Sequence, residues 1–252
     1  MSQSGQQYLL RLSPSGTLNS IFELPQFEQY FNFFPYLEYI AWLEVKLSYM
    51  LDSIKQKLTQ INLSKATKHK KAGVLILLLK EDHEDEYKIL FTKRSSKLKT
   101  HSGEVSFPGG KWEEEDKNLY ETALRESNEE INLEINNVTQ LGRLDILLSR
   151  HKIEVNPYVG YLDKFQHFKG NFEIEEIFTV PISFLMNQNN ISYKEFNKKD
   201  LKVYIPSWVY NENRIWGLTA MITADFLNIC FGAPTKTDIN LFRTYNEQRS
   251  RR

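Results

Sequence analysis

The sequence predicts an α/β domain of the α+β kind, a mixed β-sheet sandwiched between α-helices, with an N-terminal helical extension. Three observations predict it. The unbroken apolar run Ala72-Gly73-Val74-Leu75-Ile76-Leu77-Leu78-Leu79 reads as a strand buried on both faces. A segment of helical length, about 118–130, sets apolar and acidic residues on different faces. Strand-like and helix-like segments then follow without strict βαβ alternation, which argues for a mixed rather than a parallel sheet.

Taken in order, Leu37, Ile40, Leu43, Leu47, Met50, Leu51, Ile54, Leu58 and Ile61 recur at steps of three and four, so a long amphipathic helix is expected after Pro35. Packing on the main domain is its plain reading; a partner-binding or membrane-surface helix is the alternative. The basic stretch Lys65, Lys68, Lys70, Lys71 then gives way to the apolar run. The expected division is therefore an extension over 1–70, a domain over 71–235 and a basic tail over 236–252 with Arg243, Arg249, Arg251 and Arg252. Glu81 to Glu86 reads as the solvated tip of a hairpin rather than a metal site, and 87–94 as its returning strand. Next come a short strand at 104–107, the Pro108-Gly109-Gly110 turn, and the acidic helix. Strands are expected at 138–149, 153–162 and 172–180, a short helix from Pro181 to Met186, extended chain over 201–215, and a helix over 219–231.

Composition excludes several classes of function. With 252 residues, 41% of them hydrophobic and 25% charged, the chain can build a full core. The 32 basic and 32 acidic side chains cancel, so no global field draws in a nucleic acid polymer or an anionic membrane, and phosphate recognition has to be local. Cys230 is the single cysteine, which rules out an intramolecular disulfide and leaves a zinc site without its thiolates. The start Met-Ser-Gln-Ser-Gly-Gln-Gln lacks the pattern of a secretory signal. The apolar stretch 31–51 carries Glu38, Glu44 and Lys46, so no transmembrane segment is expected.

The chemistry concentrates in Gly109-Gly110-Lys111 and Arg125-Glu126-Ser127-Asn128-Glu129-Glu130. At about 100° per residue, Glu126, Glu129 and Glu130 share one arc of roughly 100° on the helix, while Tyr120, Leu124 and Ile131 form another face suited to docking. Clustered carboxylates repel, and as hard oxygen donors they suit Mg²⁺ or Mn²⁺, which commonly bridge to substrate phosphates. The paired glycines permit positive φ and let backbone amides approach a phosphate.

Gly110, Arg125-Glu126, Glu129-Glu130 and Leu133 resemble the box of the Nudix hydrolases, with three departures. Gly110 to Arg125 spans fifteen positions, one more than the general pattern, so that Asp116 or Glu115 stands in for the glutamate of the connecting loop; Ser127 replaces an apolar residue; Asn132 replaces the helix-ending glycine. Upstream, Leu90-Phe91-Thr92-Lys93-Arg94-Ser95-Ser96 and Gly103 through Lys111 are similar to the motif of the coenzyme A diphosphatase branch, with Lys99-Thr100 where relatives often carry an arginine. Phe178-Thr179-Val180-Pro181-Ile182 and Ile215-Trp216-Gly217-Leu218-Thr219 look like later segments of that branch, the second especially like fungal peroxisomal members.

The resemblance implies a Nudix fold and cleavage of the diphosphate of coenzyme A, acyl-CoA or oxidised CoA, giving 3′,5′-ADP and 4′-phosphopantetheine or its acyl form. It implies Mg²⁺ or Mn²⁺ held by Glu126, Glu129 and Glu130, with Arg125 fixing the glutamates. The general base stays open between Glu129 and an acid of the Glu173, Glu175, Glu176 group, Glu176 being the one carried forward. Arg94 leads a set with Lys93, Lys97, Gly109 and Gly110 expected to meet substrate phosphates, because a guanidinium suits a phosphate monoester better than lysine does. The alternatives are an 8-oxo-dGTP diphosphatase and a catalytically idle binding module that kept the fold. A peroxisomal location is implied, the cytosol being the alternative; the ending Ser250-Arg251-Arg252 and the segment at Arg11-Leu12 match neither peroxisomal signal.

Overall fold

The computed structural model describes residues 36–81, 86–98, 101–198 and 201–237. The Arg11-Leu12 segment, the middle of the acidic turn at 82–85, Lys99-Thr100 and the basic tail from 238 lie outside them. The chain divides into two compact units, residues 1–51 and 52–252. Helix α1, Tyr36–Thr59, runs across the division, and 36–51 is the described part of the first unit.

The second unit is organised by β1, Lys70–Lys80, which lies parallel to β7, Ile153–Leu162. Leu75 to Leu79 are fully buried, as a strand covered on both faces demands. β1 also pairs antiparallel with β2, Tyr87–Arg94, at one end and with β4, Gly109–Lys111, at the other. β2 carries the short β3, Val105–Ser106, and β8, Ile174–Pro181. β5, Val138–Arg143, and β6, Leu147–Leu148, pair with β7 and complete a mixed sheet of 8 strands among the described residues.

Alternation along β1 assigns the two faces. Leu75, Leu77 and Leu79 pack with Ala123, Leu124 and Ile131 of α2, Leu119–Ile131. On the opposite face Leu58, in the last turns of α1, sits over Gly142, where a Cβ would come within 2.8 Å of it. Lys57 Nζ there donates to the carbonyl of Cys230 at 2.9 Å, in α4, Gly217–Phe231. Helices thus cover both faces of the sheet. After α3, Ile182–Met186, a second sheet of β9, Ser192–Lys198, β10, Leu201–Tyr210, and β11, Asn213–Ile215, forms an antiparallel meander.

Three details differ from the sequence expectation. The strand expected over 138–149 breaks in two, because Asp145 turns its carboxylate to the Ser64 amide and hydroxyl, both at 2.8 Å, and to its neighbour Ile146 N. The Gly109-Gly110 turn is itself a strand, β4. Strand β9 went unassigned, since Ser192 to Glu195 are exposed and Ser-Tyr-Lys-Glu-Phe-Asn-Lys has little apolar content to betray it.

Candidate active site

Helix α2 carries the acidic face and is fixed at both ends. Asn118 caps its start, Oδ1 accepting from the Tyr120 and Glu121 amides at 2.9 and 3.0 Å. Its body lies hard against β1 at Gly73, where a Cβ would stand 2.2 Å from the Leu119 carbonyl oxygen and 3.1 Å from the Ala123 nitrogen. Leu124 and Ile131 are buried, as the helical phase requires. Ser127 also faces inward, and its hydroxyl donates to the Ala123 carbonyl at 2.6 Å, which lets a polar residue take an apolar position. Asn132 ends the helix in the left-handed conformation at φ 55°, the role expected of it as a glycine substitute. Beyond it Asn171 satisfies two late carbonyls, its amide bonding Glu130 O and its side chain Glu129 O, both at 3.0 Å.

One side of the acidic face is organised by Arg125. Its Nε and Nη2 meet the two oxygens of Asp116 at 2.9 and 3.1 Å, the bidentate geometry of a strong pair. Nη1 reaches Glu129 Oε1 at 3.2 Å, and Nη2 also approaches Glu126 Oε1 at 3.3 Å and the Lys111 carbonyl at 3.2 Å. Of the two acids left open for the connecting loop, Asp116 is therefore the one engaged. It is buried, accepts also from Thr122 Oγ1 at 2.8 Å and Glu113 N at 3.1 Å, and the bonded Arg125 guanidinium holds its carboxyl down at about 2.

The other side gathers around Glu130. Its carboxylate is buried, accepts from the Gly109 amide at 3.1 Å, and stands 3.6 Å from Arg94 Nη1. Burial pushes it up to about 7, the Gly109 bond and the Arg94 charge pulling the other way. Arg94 Nη2 donates to Glu173 Oε2 at 2.8 Å, so the guanidinium spans acids from α2 and from the chain leading into β8. Glu126 is likewise raised by burial, with Arg125 opposing. It lies flat against Gly110, where a Cβ would fall 2.3 Å from its carboxyl carbon. Glycine is what admits that carboxylate.

The structure thus brings together Gly109, Gly110, Arg125, Glu126, Glu129, Glu130 and Arg94. Of the three later acids, Glu173 is the one that reaches this cluster. Glu176 sits opposite Lys93 in the β2–β8 ladder, 3.9 Å from Lys93 Nζ, and its Oε1 accepts from Asn213 Nδ2 at 2.9 Å. Lys93 also pairs with Glu175 at 3.4 Å, and Lys97 is exposed. His101 stands 2.6 Å from Glu104 through Nδ1. Sequence reasoning missed Asn171 altogether; its one signal was the Gly170-Asn171 turn pair.

The donor set suits a hard divalent cation: three carboxylates, one buried with a raised pKa, beside a glycine cradle. Among the described residues, no group of three His, Cys, Asp or Glu side chains is already arranged to hold a metal ion. Arg125 engages Glu126 Oε1 and Glu129 Oε1, and Arg94 stands 3.6 Å from Glu130 Oε1. Among the described residues, too, no helix is long and apolar enough to cross a membrane.

Comparison with known proteins gives the family. The NUDIX domain matches residues 69–179. The chain is 38% identical over 174 residues to Nudix hydrolase 15, mitochondrial, of Arabidopsis thaliana, covering 66% of this chain and 61% of that protein. It is 36% identical over 135 residues to the uncharacterized Nudix hydrolase NudL of Photorhabdus laumondii, covering 53% and 72%. It is 38% identical over 141 residues to the mitochondrial coenzyme A diphosphatase NUDT8 of Mus musculus, covering 54% and 67%. The match spans about three fifths of the Arabidopsis protein's length. With the box assembled on α2 and β4, and with relatives of this identity covered over two thirds or more of their length, the chain belongs to the Nudix hydrolase family.

Proposed function

We propose that this chain, its catalytic domain spanning 71–235, hydrolyses the diphosphate of coenzyme A and its acyl or oxidised derivatives to 3′,5′-ADP and 4′-phosphopantetheine or its modified form. The observation that carries the reading is the Glu126, Glu129, Glu130 face beside the Gly109-Gly110 strand, with Arg125 bonded to Glu126 and Glu129 and the Gly109 amide bonded to Glu130. The relatives named coenzyme A diphosphatases, 38% and 36% identical to this chain, support the choice of substrate, as does the resemblance of the segment holding Arg94 and Pro108-Gly109-Gly110 to the motif of that branch.

Glu126, Glu129 and Glu130 would hold Mg²⁺ or Mn²⁺, which when bound neutralises charge on the diphosphate and acidifies a water. Everything else falls to the chain's own side chains. Arg125 fixes Glu126 and Glu129 relative to the buried Asp116, so that the cation site needs little reorganisation. Glu129 is the most exposed of the three glutamates and is proposed as the base that takes a proton from the attacking water. Glu176, engaged with Asn213 and Lys93, is the second candidate. Arg94, Lys93, Lys97 and the glycine amides are proposed to face substrate phosphates. Water adds to one phosphorus as the bridging P–O bond breaks, and the leaving phosphate carries away the electron pair.

Chromatography after parallel incubation with CoA, oxidised CoA and 8-oxo-dGTP, with Mg²⁺ and with Mn²⁺, tests this. Release of 3′,5′-ADP is expected; preferential release of 8-oxo-dGMP would overturn the substrate while keeping the chemistry. The proposed peroxisomal location is checked by imaging an internally tagged chain.

A further inference from the structure

We propose that Arg94 is a resident counter-cation of the acidic site: it occupies Glu130 and Glu173 when no divalent ion is bound, and is released toward the diphosphate when one arrives. This rests on the reading of Glu126, Glu129 and Glu130 as cation-holding.

The two arginines of the site are bound differently. Arg125 makes its contacts within its own helix, the loop before it and the last residue of β4. Arg94 reaches from β2 across to two other elements, with one short bond to Glu173 at 2.8 Å and a looser approach to Glu130 at 3.6 Å. Its Nε is buried without a hydrogen-bond partner, so the side chain is not fully satisfied where it lies. The backbone of Arg94 is firm by contrast, its amide bonded to Glu104 O at 3.0 Å and its carbonyl to Gly103 N at 3.1 Å. Motion is therefore confined to the side chain. The β2–β8 register shifts between Lys93 and Arg94, a bulge of the sort that re-aims a side chain beside a site.

A guanidinium and a divalent ion on the same carboxylate repel strongly at these distances. Glu130 cannot keep both as close partners. A planar guanidinium displaced from a carboxylate finds an equivalent bidentate partner in a phosphate. Ion binding would thus weaken the hold on Arg94 and present it to substrate in one event, and by linkage Arg94 weakens ion binding in the absence of substrate.

The test measures Mn²⁺ affinity of the full chain without substrate, from the electron paramagnetic resonance of the free ion, for wild type, Arg94→Gln and Arg94→Lys. Arg94→Gln should bind Mn²⁺ about tenfold more tightly, a coupling of ordinary size, while Arg94→Lys, which keeps the charge, stays within about threefold of wild type. At saturating Mn²⁺, Arg94→Gln should bind inorganic pyrophosphate about tenfold more weakly. Unchanged or weaker Mn²⁺ binding in Arg94→Gln overturns the counter-cation role; unchanged pyrophosphate affinity overturns the release. A wild type that binds no Mn²⁺ would instead sink the cation reading, and this inference with it. A measurement on wild type alone guards against a variant that fails to fold: phenylglyoxal modification of Arg94, followed by peptide mapping, should accelerate several-fold on adding Mn²⁺, and protection by Mn²⁺ would contradict the proposal.

Discussion

Arg125 and Arg94 flank the same glutamate face and differ in how completely they are held. Arg125 is locked to the buried Asp116 by two short bonds and also reaches Glu126, Glu129 and a carbonyl. Arg94 has one short bond, one loose ion pair and an unpartnered Nε. One cluster is built to keep carboxylates in place; the other is built around a group that can leave. A site that must accept a cation needs both, since rigid positioning lowers the reorganisation at reaction while an exchangeable charge keeps a buried glutamate tolerable beforehand.

The largest effect should come from Glu130, where the two functions meet. Glu130→Gln keeps the shape and the Gly109 contact but removes the charge, and we expect kcat/KM for CoA to fall by about three orders of magnitude, the size of losing several kcal/mol of cation-borne stabilisation. Steady-state kinetics check it, and a loss of under tenfold would mean that the cation sits elsewhere.

Truncating each arginine separates the two clusters directly. Arg125→Ala leaves Asp116 buried and uncompensated, so chemical denaturation should show a loss of about 3 kcal/mol. Arg94→Ala leaves Glu173 at the surface and Glu130 free to take up a proton, so its loss should stay near 1 kcal/mol or below. Equal losses would erase the contrast between clamp and exchangeable group.

Two glycines sharpen the same contrast between framework and chemistry. At Gly73 an added Cβ meets backbone, 2.2 Å from the Leu119 carbonyl, and neither strand nor helix can yield. At Gly110 it meets the carboxylate of Glu126, the movable end of a side chain. Gly73→Ala is therefore expected to lower stability by about 2 to 3 kcal/mol. Gly110→Ala should cost under about 1 kcal/mol of stability yet lower kcat/KM about a hundredfold, because it displaces a group on which the site depends. Melting curves beside kinetics tell the two apart.

The helix and its acidic arc were legible in the sequence because a period of 3.6 residues puts Glu126, Glu129 and Glu130 together whatever the rest of the chain does. Asn132 was legible for the same local reason, a left-handed cap that few residues tolerate. Partners from distant segments were not. Nothing local to Glu173 distinguishes it from Glu176, and the choice depends on the bulge between Lys93 and Arg94 that alters the β2–β8 register. The resemblance to the Nudix box left the loop acid open between Asp116 and Glu115, and the Thr122 hydroxyl and Glu113 amide single out Asp116 only once the loop has folded. Strand β9 pairs with β10 through its backbone, which leaves no hydrophobic imprint to read.

The Asp116 pair should also leave a signature in acid. Its folded value, about 2, lies below the ordinary 3.8, so the stability it contributes is present above about pH 4 and is lost as pH falls through 2. The difference in stability between wild type and Asp116→Asn should shrink by about 1 to 2 kcal/mol over that interval, measured by urea denaturation in metal-free buffer. A difference that does not change with pH would mean that Arg125 holds Asp116 less tightly than its geometry implies.

The smallest effect is expected where α2 ends. Asn132 adopts φ 55°, a conformation that asparagine tolerates and glycine adopts without strain, and among the described residues no side-chain bond of Asn132 itself offsets the difference; Gln166 Nε2 bonds its carbonyl, which glycine retains. Asn132→Gly should therefore stabilise the fold by about 0.5 kcal/mol, because relief of the strain exceeds the added freedom of the unfolded chain. That corresponds to a rise in Tm of about 1 to 2 °C for a chain of this size, within reach of calorimetry. A fall in Tm would show that unfolded-chain entropy outweighs backbone strain here, and that the glycine of the family pattern serves something other than the cap.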